Sequence, residues 1–108
     1  MIERIVKALT EKDYVTLAKC FSENCVFFDY CPSLNDMPNS FIYGNDCIEM
    51  YFKLKFVTGE LEVAEPLIEN ENRASFFGTY NGPYIYARFN IEEYDNAGLI
   101  KKAIVHPA

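Results

Sequence analysis

The second half of the chain constrains the fold most, because from about residue 60 onward its apolar residues follow the pattern of β-strands. Four such runs, separated by short turn-forming stretches, span residues 60–68, 73–80, 84–94 and 98–106. Helical patterns are confined to the first half of the chain. This order predicts an α+β domain in which helices come first and a mostly antiparallel sheet follows.

The clearest turn signal in this half is the segment TYNGPYIY. Asn81 and Gly82 suit the two central positions of a type I′ hairpin turn, which would pair Tyr80 with Pro83. That register divides the two strands into an apolar face and a mixed face. The apolar face holds Ala74, Phe76, Gly78, Tyr80, Ile85, Ala87, Phe89 and Ile91, and the mixed face holds Ser75, Phe77, Thr79, Tyr84, Tyr86, Arg88 and Asn90.

The three helices can cover only one face of this sheet, so the other face also needs a cover. We predict that the apolar face is buried in a homodimer, because large exposed apolar patches are rare on soluble monomers. The mixed face would then look into a pocket beneath the helices. A register slip of one residue would exchange the two faces.

The chain begins with a predicted helix, because Ile2, Ile5, Val6 and Leu9 have the spacing of one helical face. Asp13 is the expected N-cap of a second helix, whose apolar stripe runs on to Phe21.

The segment CVFFDY is the pattern of a strand, and residues 31–44 contain two prolines and several turn formers, which predicts a loop. Asn45 or Asp46 should cap a third helix that buries Ile48, Phe52 and Phe56 and ends at Thr58-Gly59. No linker divides the 108 residues, so we expect one domain over residues 1–108.

Composition excludes several classes of function. The net charge is -6 and no basic stripe is visible, which argues against a nucleic-acid partner. No run approaches the ~20 apolar residues that cross a bilayer, and the charged N-terminus is unlike a signal peptide, so we expect a soluble cytoplasmic protein without membrane contact. The four cysteines lack CxxC spacing and there is one histidine, so no metal site is expected. No Gly-rich phosphate loop is visible, and no cofactor is expected.

The strand segment ENCVFFDYCP ends in an acid, Asp29, that has two readings. It can be a turn residue whose carboxylate accepts backbone amides near Pro32. It can also be a carboxylate at the wall of an apolar pocket, where burial would make it a better proton acceptor than an acid in water.

The order of elements, with the segments ALTEKDYVTLAKCFSENCVFFDYCP and YGNDCIEMYF, resembles the nuclear transport factor 2-like superfamily, which includes ketosteroid isomerases and SnoaL-like cyclases. The resemblance implies a cone-shaped, cystatin-like roll, in which a curved sheet wraps around about three N-terminal helices. It also implies a catalytic base at Asp29. The tyrosine that the isomerases carry on the first helix falls on Ile5, and their protonated aspartic acid on the fourth strand falls on Asn90.

The resemblance and the residues together predict a pocket for an apolar ligand with a carbonyl group. Asp29 would be the general base of a cofactor-free proton transfer, and Asn90, with a tyrosine such as Tyr86 or Tyr30, would be its polar partner. Phe27 and Tyr86 would line the pocket. Arg88 would either bind a ligand carboxylate or, as the residues favour, pair with Glu92 or Glu93 or lie exposed beyond the sheet edge. The alternative is a non-catalytic ligand-binding or protein-interaction domain that forms a homodimer.

Overall fold

The computed structural model describes residues 1–108 as three α-helices and six β-strands. The elements in chain order are α1 (Ile2–Glu11), α2 (Tyr14–Lys19), β1 (Phe21–Asp29), a 3-10 turn (Pro32–Asn35), β2 (Ser40–Tyr43), α3 (Asn45–Val57), β3 (Val63–Asn70), β4 (Arg73–Gly78), β5 (Ile85–Tyr94) and β6 (Ile100–Pro107). No helix is both long enough and apolar enough to cross a membrane.

The six strands form one open sheet in the order β2-β1-β6-β5-β4-β3. Every neighbouring pair is antiparallel except β1 and β6, which run parallel. The expected α+β class, with a curved and mostly antiparallel sheet around N-terminal helices, is therefore confirmed. The parallel pair places the end of β1 beside the end of β6, with Asp29 opposite Val105.

The helix boundaries follow the expected signals in part. Asp13 caps α2 as predicted, because its Oδ1 accepts the Thr16 N–H at 3.0 Å. Phe21 does not continue α2; it begins β1, so the strand starts four residues earlier than expected. The N-cap of α3 is Gly44, with φ 88 and no side-chain cap, so the predicted cap at Asn45 or Asp46 is wrong.

The loop expected over residues 31–44 contains a strand that sequence reasoning missed. Ser40–Tyr43 pairs with the end of β1, with Phe28 opposite Phe41 and Asp29 opposite Ser40. The four-residue strand is short because Pro38 precedes it and α3 begins directly after Gly44. Residues 30–39 are therefore the loop of a β1–β2 hairpin.

The predicted register between β4 and β5 is confirmed, with Gly78 opposite Ile85. The turn that produces it is different. The Gly82 N–H donates to the Thr79 carbonyl oxygen at 2.9 Å, and the two central residues with positive φ are Tyr80 and Asn81, not Asn81 and Gly82.

The predicted use of the two sheet faces is wrong, because the helices cover the apolar face. We call the helix-covered side the inner face and the opposite side the outer face. On the inner face Phe76, Ala87 and Phe89 are at most 3% exposed and belong to one apolar core with Ile5, Leu17 and the buried side of α3. Burying the more apolar face removes more apolar area from water. That face is therefore not free to form the expected homodimer interface.

Candidate functional site

Asp29 lies at the end of β1 and points to the inner face. Alternation along β1 puts Cys25, Phe27 and Asp29 on the same side, and all three are buried. Asp29 is 3% exposed, and its Oδ1 accepts the Cys31 N–H at 2.9 Å. Both earlier readings are thus partly right, because this carboxyl group is a turn acceptor and is sheltered from water at the same time.

Burial is the main influence on the Asp29 carboxyl and raises its pKa from 3.8 to about 6. The Cys31 N–H, the Tyr80 hydroxyl and the Lys55 ammonium lower the pKa of the same group, but they do not offset the loss of water. A carboxylate of this kind accepts a proton more readily than an exposed one. At pH 7 it is nevertheless mostly ionised.

Tyr80 is a second buried residue that acts on the Asp29 carboxyl group. Its backbone has φ 45, a left-handed conformation that is uncommon for a bulky residue. Its ring folds back onto Gly78, where an added Cβ would lie 2.6 Å from Tyr80 Cε2. Burial and then the charge of Asp29 raise the pKa of Tyr80 well above 10, so this hydroxyl stays protonated and can donate.

Helix α3 contributes two further polar groups to the site. The Tyr51 hydroxyl hydrogen-bonds the Ser40 hydroxyl at 2.7 Å, and burial followed by the charge of Asp29 raises the pKa of Tyr51. Lys55 pairs with Glu60 at 2.6 Å, and its ammonium lies 5.4 Å from the centre of the Tyr51 ring. The carboxyl group thus has two neutral phenols and one cation around it.

Cys31, which follows Asp29 by two residues, is fully buried beside it. Burial and then the charge of Asp29 raise the pKa of this thiol. A neutral, buried thiol is neither a nucleophile nor a metal ligand. No group of three or more His, Cys, Asp or Glu side chains is arranged to hold a metal ion.

The cavity beside these groups is small, with a volume of about 20 Å³. Three of the groups around Asp29 line it, namely Tyr51, Lys55 and Tyr80, whereas Asp29 itself does not. Such a volume holds roughly one water molecule, against roughly 300–1,000 Å³ for a small-molecule site. The interior of the cone is filled instead by closely packed aromatic rings, among them Phe27, Phe52 and Phe89.

The structure separates the residues that the sequence grouped into one site. Phe27 lies on the inner face, on the same side of β1 as Asp29, but it belongs to the packed core and does not line the small cavity. Tyr86, Arg88 and Asn90 lie on the outer face, so the predictions that they line the pocket or stand opposite Asp29 are wrong. The hairpin register was right, but the mixed face turned out to be the outer one.

On the outer face these three residues have other partners. Asn90 Nδ2 lies 3.0 Å from His106 Nε2, and the Tyr86 hydroxyl donates to the Ser75 hydroxyl at 2.9 Å. Arg88 Nε donates to Glu69 Oε1 at 2.9 Å, so Arg88 pairs with a glutamate of the edge strand β3 and not with Glu92 or Glu93 as expected.

Sequence reasoning missed Tyr51, Lys55 and Tyr80. Tyr80 belongs to the face that the sequence identifies as apolar. If the helices are placed over that face, Tyr80 lies inside the cone. Tyr51 and Lys55 are four residues apart on α3, next to the buried Phe52 and Phe56. This helical spacing puts both side chains on the part of α3 that faces the sheet, and is the sequence signal that could have identified them.

Three solved structures are similar to this chain over nearly its whole length. A protein with a ketosteroid isomerase-like fold from Catenulispora acidiphila, in complex with trimethylamine, has a TM-score of 0.68 and 12% identity over 96% of this chain and 82% of its own. A SnoaL-like protein of unknown function from Burkholderia thailandensis has a TM-score of 0.60 and 12% identity over 98% and 90%. A nuclear transport factor 2-like protein of unknown function from Cytophaga hutchinsonii has a TM-score of 0.63 and 16% identity over 99% and 86%.

No protein-family model and no curated protein matches the sequence. At these identities the similarity extends to the architecture alone. It agrees with the resemblance seen in the order of helices and strands. The fold of this chain is that of the nuclear transport factor 2-like, SnoaL-like and ketosteroid isomerase-like proteins.

Proposed function

We propose that this protein binds a small apolar carbonyl compound in the cone and transfers a proton next to its carbonyl group without a cofactor. The observation that carries the proposal is the buried Asp29 carboxyl, whose pKa is raised to about 6 and which has the protonated Tyr80 hydroxyl beside it. A general base works best when its pKa lies near the working pH. A neutral phenol is a suitable donor for an oxyanion.

In the proposed reaction the Asp29 carboxylate removes a proton from the carbon next to the carbonyl. The electrons of the broken C–H bond move to the carbonyl oxygen, where the Tyr80 hydroxyl donates a hydrogen bond to the enolate. Asp29 then returns the same proton to another carbon of the conjugated system, so that atoms and charge balance. Tyr80 replaces Asn90 as the polar partner, because it is on the inner face.

The test is isomerisation of a small β,γ-unsaturated cyclic ketone to its conjugated form. Asp29→Asn should lower kcat/KM by about 100-fold or more, since general-base catalysis contributes about 10² to 10⁴. In the unaltered protein the rate should rise with pH through about 6, as the carboxyl group ionises. Asp46→Asn, an exposed acid nine residues before Lys55 on α3, should leave both rate and profile unchanged. Equal turnover by Asp29→Asn would remove Asp29 from the reaction.

A second candidate function is self-association, and the exposed aromatic residues of the outer face favour it. Phe41 and Tyr43 are 50% and 61% exposed beside Phe28, while Tyr84 and Tyr86 are 57% and 39% exposed beside Phe77. Apolar patches of this kind typically mark interaction surfaces. We therefore propose that the homodimer forms through the outer face.

Light scattering at micromolar concentration tests this second candidate. The unaltered protein should have the mass of a dimer, and Tyr86→Glu should have that of a monomer, because a buried unpaired charge opposes association. Met50→Glu alters a more exposed apolar residue on α3, away from the sheet, and should remain dimeric. A monomeric unaltered protein, or a dimeric Tyr86→Glu, would exclude the outer-face dimer.

A further inference from the structure

The loop of the β1–β2 hairpin folds over the mouth of the cone, and both of its ends are fixed next to Asp29. At one end the Cys31 N–H is bonded to Asp29 Oδ1, and at the other end Ser40 is paired with Asp29 in the sheet. Between these two points, Pro32, Met37 and Pro38 form one wall of the small cavity. This segment, residues 31–39, therefore lies at the edge of the cavity.

One side chain ties this segment to the opposite side of the mouth. The Asn35 amide nitrogen donates to the carbonyl oxygens of Thr79 at 2.9 Å, Pro83 at 3.0 Å and Tyr80 at 3.3 Å. The contact is close, because a Cβ added to Gly82 would lie 2.8 Å from Asn35 Nδ2. The remaining bonds of the segment are local, such as Met37 N–H to the Pro32 carbonyl oxygen at 3.1 Å.

We propose that residues 31–39 are a lid over the cone and that Asn35 is its latch. The lid resolves a conflict of size, because the cavity holds about one water molecule and a ligand needs roughly ten times that volume or more. The segment 31–39 is hydrogen-bonded to the β4–β5 turn on the other side of the mouth through one side chain, that of Asn35. Its Leu34 side chain is 59% exposed, so it buries little apolar surface in the closed state.

The latch is coupled to the site through the turn that it binds. Asn35 bonds the backbone of the Thr79–Gly82 turn, whose Tyr80 is held at a positive φ with its ring over Gly78. Releasing Asn35 removes one of the contacts that hold this conformation. It also lets water reach the region of Asp29 between the two fixed ends of the lid.

The inference rests on the proposed function, because a lid is useful only if the cone binds a ligand. The opening of the lid can nevertheless be measured without a substrate. Asn35→Asp replaces the donating amide by a carboxylate that faces three carbonyl oxygens, so the closed lid is lost while size is kept. Asn39→Asp is the matched control, because Asn39 acts as an acceptor from the Ser33 N–H and aspartate keeps that role with the same added charge. The readouts are amide hydrogen exchange of residues 34–37 and the pKa of Asp29 by carboxyl NMR.

Asn35→Asp should speed exchange at Leu34 and Met37 by about tenfold or more relative to Asn39→Asp, while exchange in β5 and β6 stays the same. The pKa of Asp29 should fall towards 3.8 in Asn35→Asp alone. Asn35→Ala should give a smaller change in the same direction. Equal exchange in Asn35→Asp and Asn39→Asp, or faster exchange spread over the whole sheet, would overturn the lid. A lack of turnover would contradict the proposed proton transfer. It would not contradict the lid, which is tested by hydrogen exchange and by the pKa of Asp29.

Discussion

Asp29→Asn is expected to make the protein more stable at pH 8, by about 3 kcal/mol in the free energy of unfolding, and to leave its stability at pH 3 nearly unchanged. Burial raises the pKa of this carboxyl group from 3.8 to about 6, a difference of about two pKa units at ~1.36 kcal/mol each. The ionised form of Asp29 is therefore costly in the folded state. Asparagine keeps the acceptor for the Cys31 N–H and carries no charge.

The sign follows from the direction of the shift. Because the pKa in the folded state is above that in the unfolded state, the unaltered protein binds a proton more tightly when folded. The resulting stability is fully present below about pH 3.8 and is lost as pH rises through about 6. Asp29→Asn removes this dependence, so the two proteins should diverge between these pH values and run parallel above them.

Urea unfolding at a series of pH values measures the effect, with Asp46→Asn as the control for the loss of one exposed acid. The control should follow the unaltered protein throughout. A constant difference between Asp29→Asn and the unaltered protein from pH 3 to pH 8 would show that Asp29 is hydrated in solution. Such a result would also weaken its role as a base.

The β4–β5 hairpin could be predicted from sequence, and the side of β1 on which Asp29 lies is also a local property. Asn81 and Gly82 placed the turn closely enough to give the register of β4 and β5, although Tyr80 and Asn81 are its central residues. Strand alternation from Phe27 put Asp29 on a buried side. Such features need only the period of two along a strand and a turn with positive φ.

The period of the strands does not decide which face the helices cover. Both faces of the β4–β5 pair carry aromatic rings, and which of them receives the helices depends on how the whole sheet curves. Weighing burial alone would have favoured the face with Phe76 and Phe89, since it has no charged group. That choice would have brought Tyr80 to Asp29 and taken Asn90 away from it.

The packing of the cone gives the second prediction, which concerns the phenylalanine pair before Asp29. Phe27→Ala is expected to lower the free energy of unfolding by about 3–5 kcal/mol, the usual cost of removing a fully buried ring. Phe27 is 1% exposed, and its ring centre lies 5.4 Å from that of Phe52 and 6.1 Å from those of Phe21 and Phe89. A loss of this size is a large part of the roughly 5–15 kcal/mol that stabilises a small domain.

Phe28→Ala is the matched control, because it removes the same side chain one residue later on the same strand. Phe28 is on the outer face against Phe41 and Tyr43, so we expect a loss of about 1 kcal/mol in dilute solution, where no second copy covers it. The difference between the two variants measures how tightly the cone is packed. If Phe27→Ala cost no more than Phe28→Ala, the rings around Phe27 would be loose in solution and a ligand could enter without the lid. A difference of several kcal/mol means instead that the interior is solid around Phe27, so that room for a ligand has to come from the mouth.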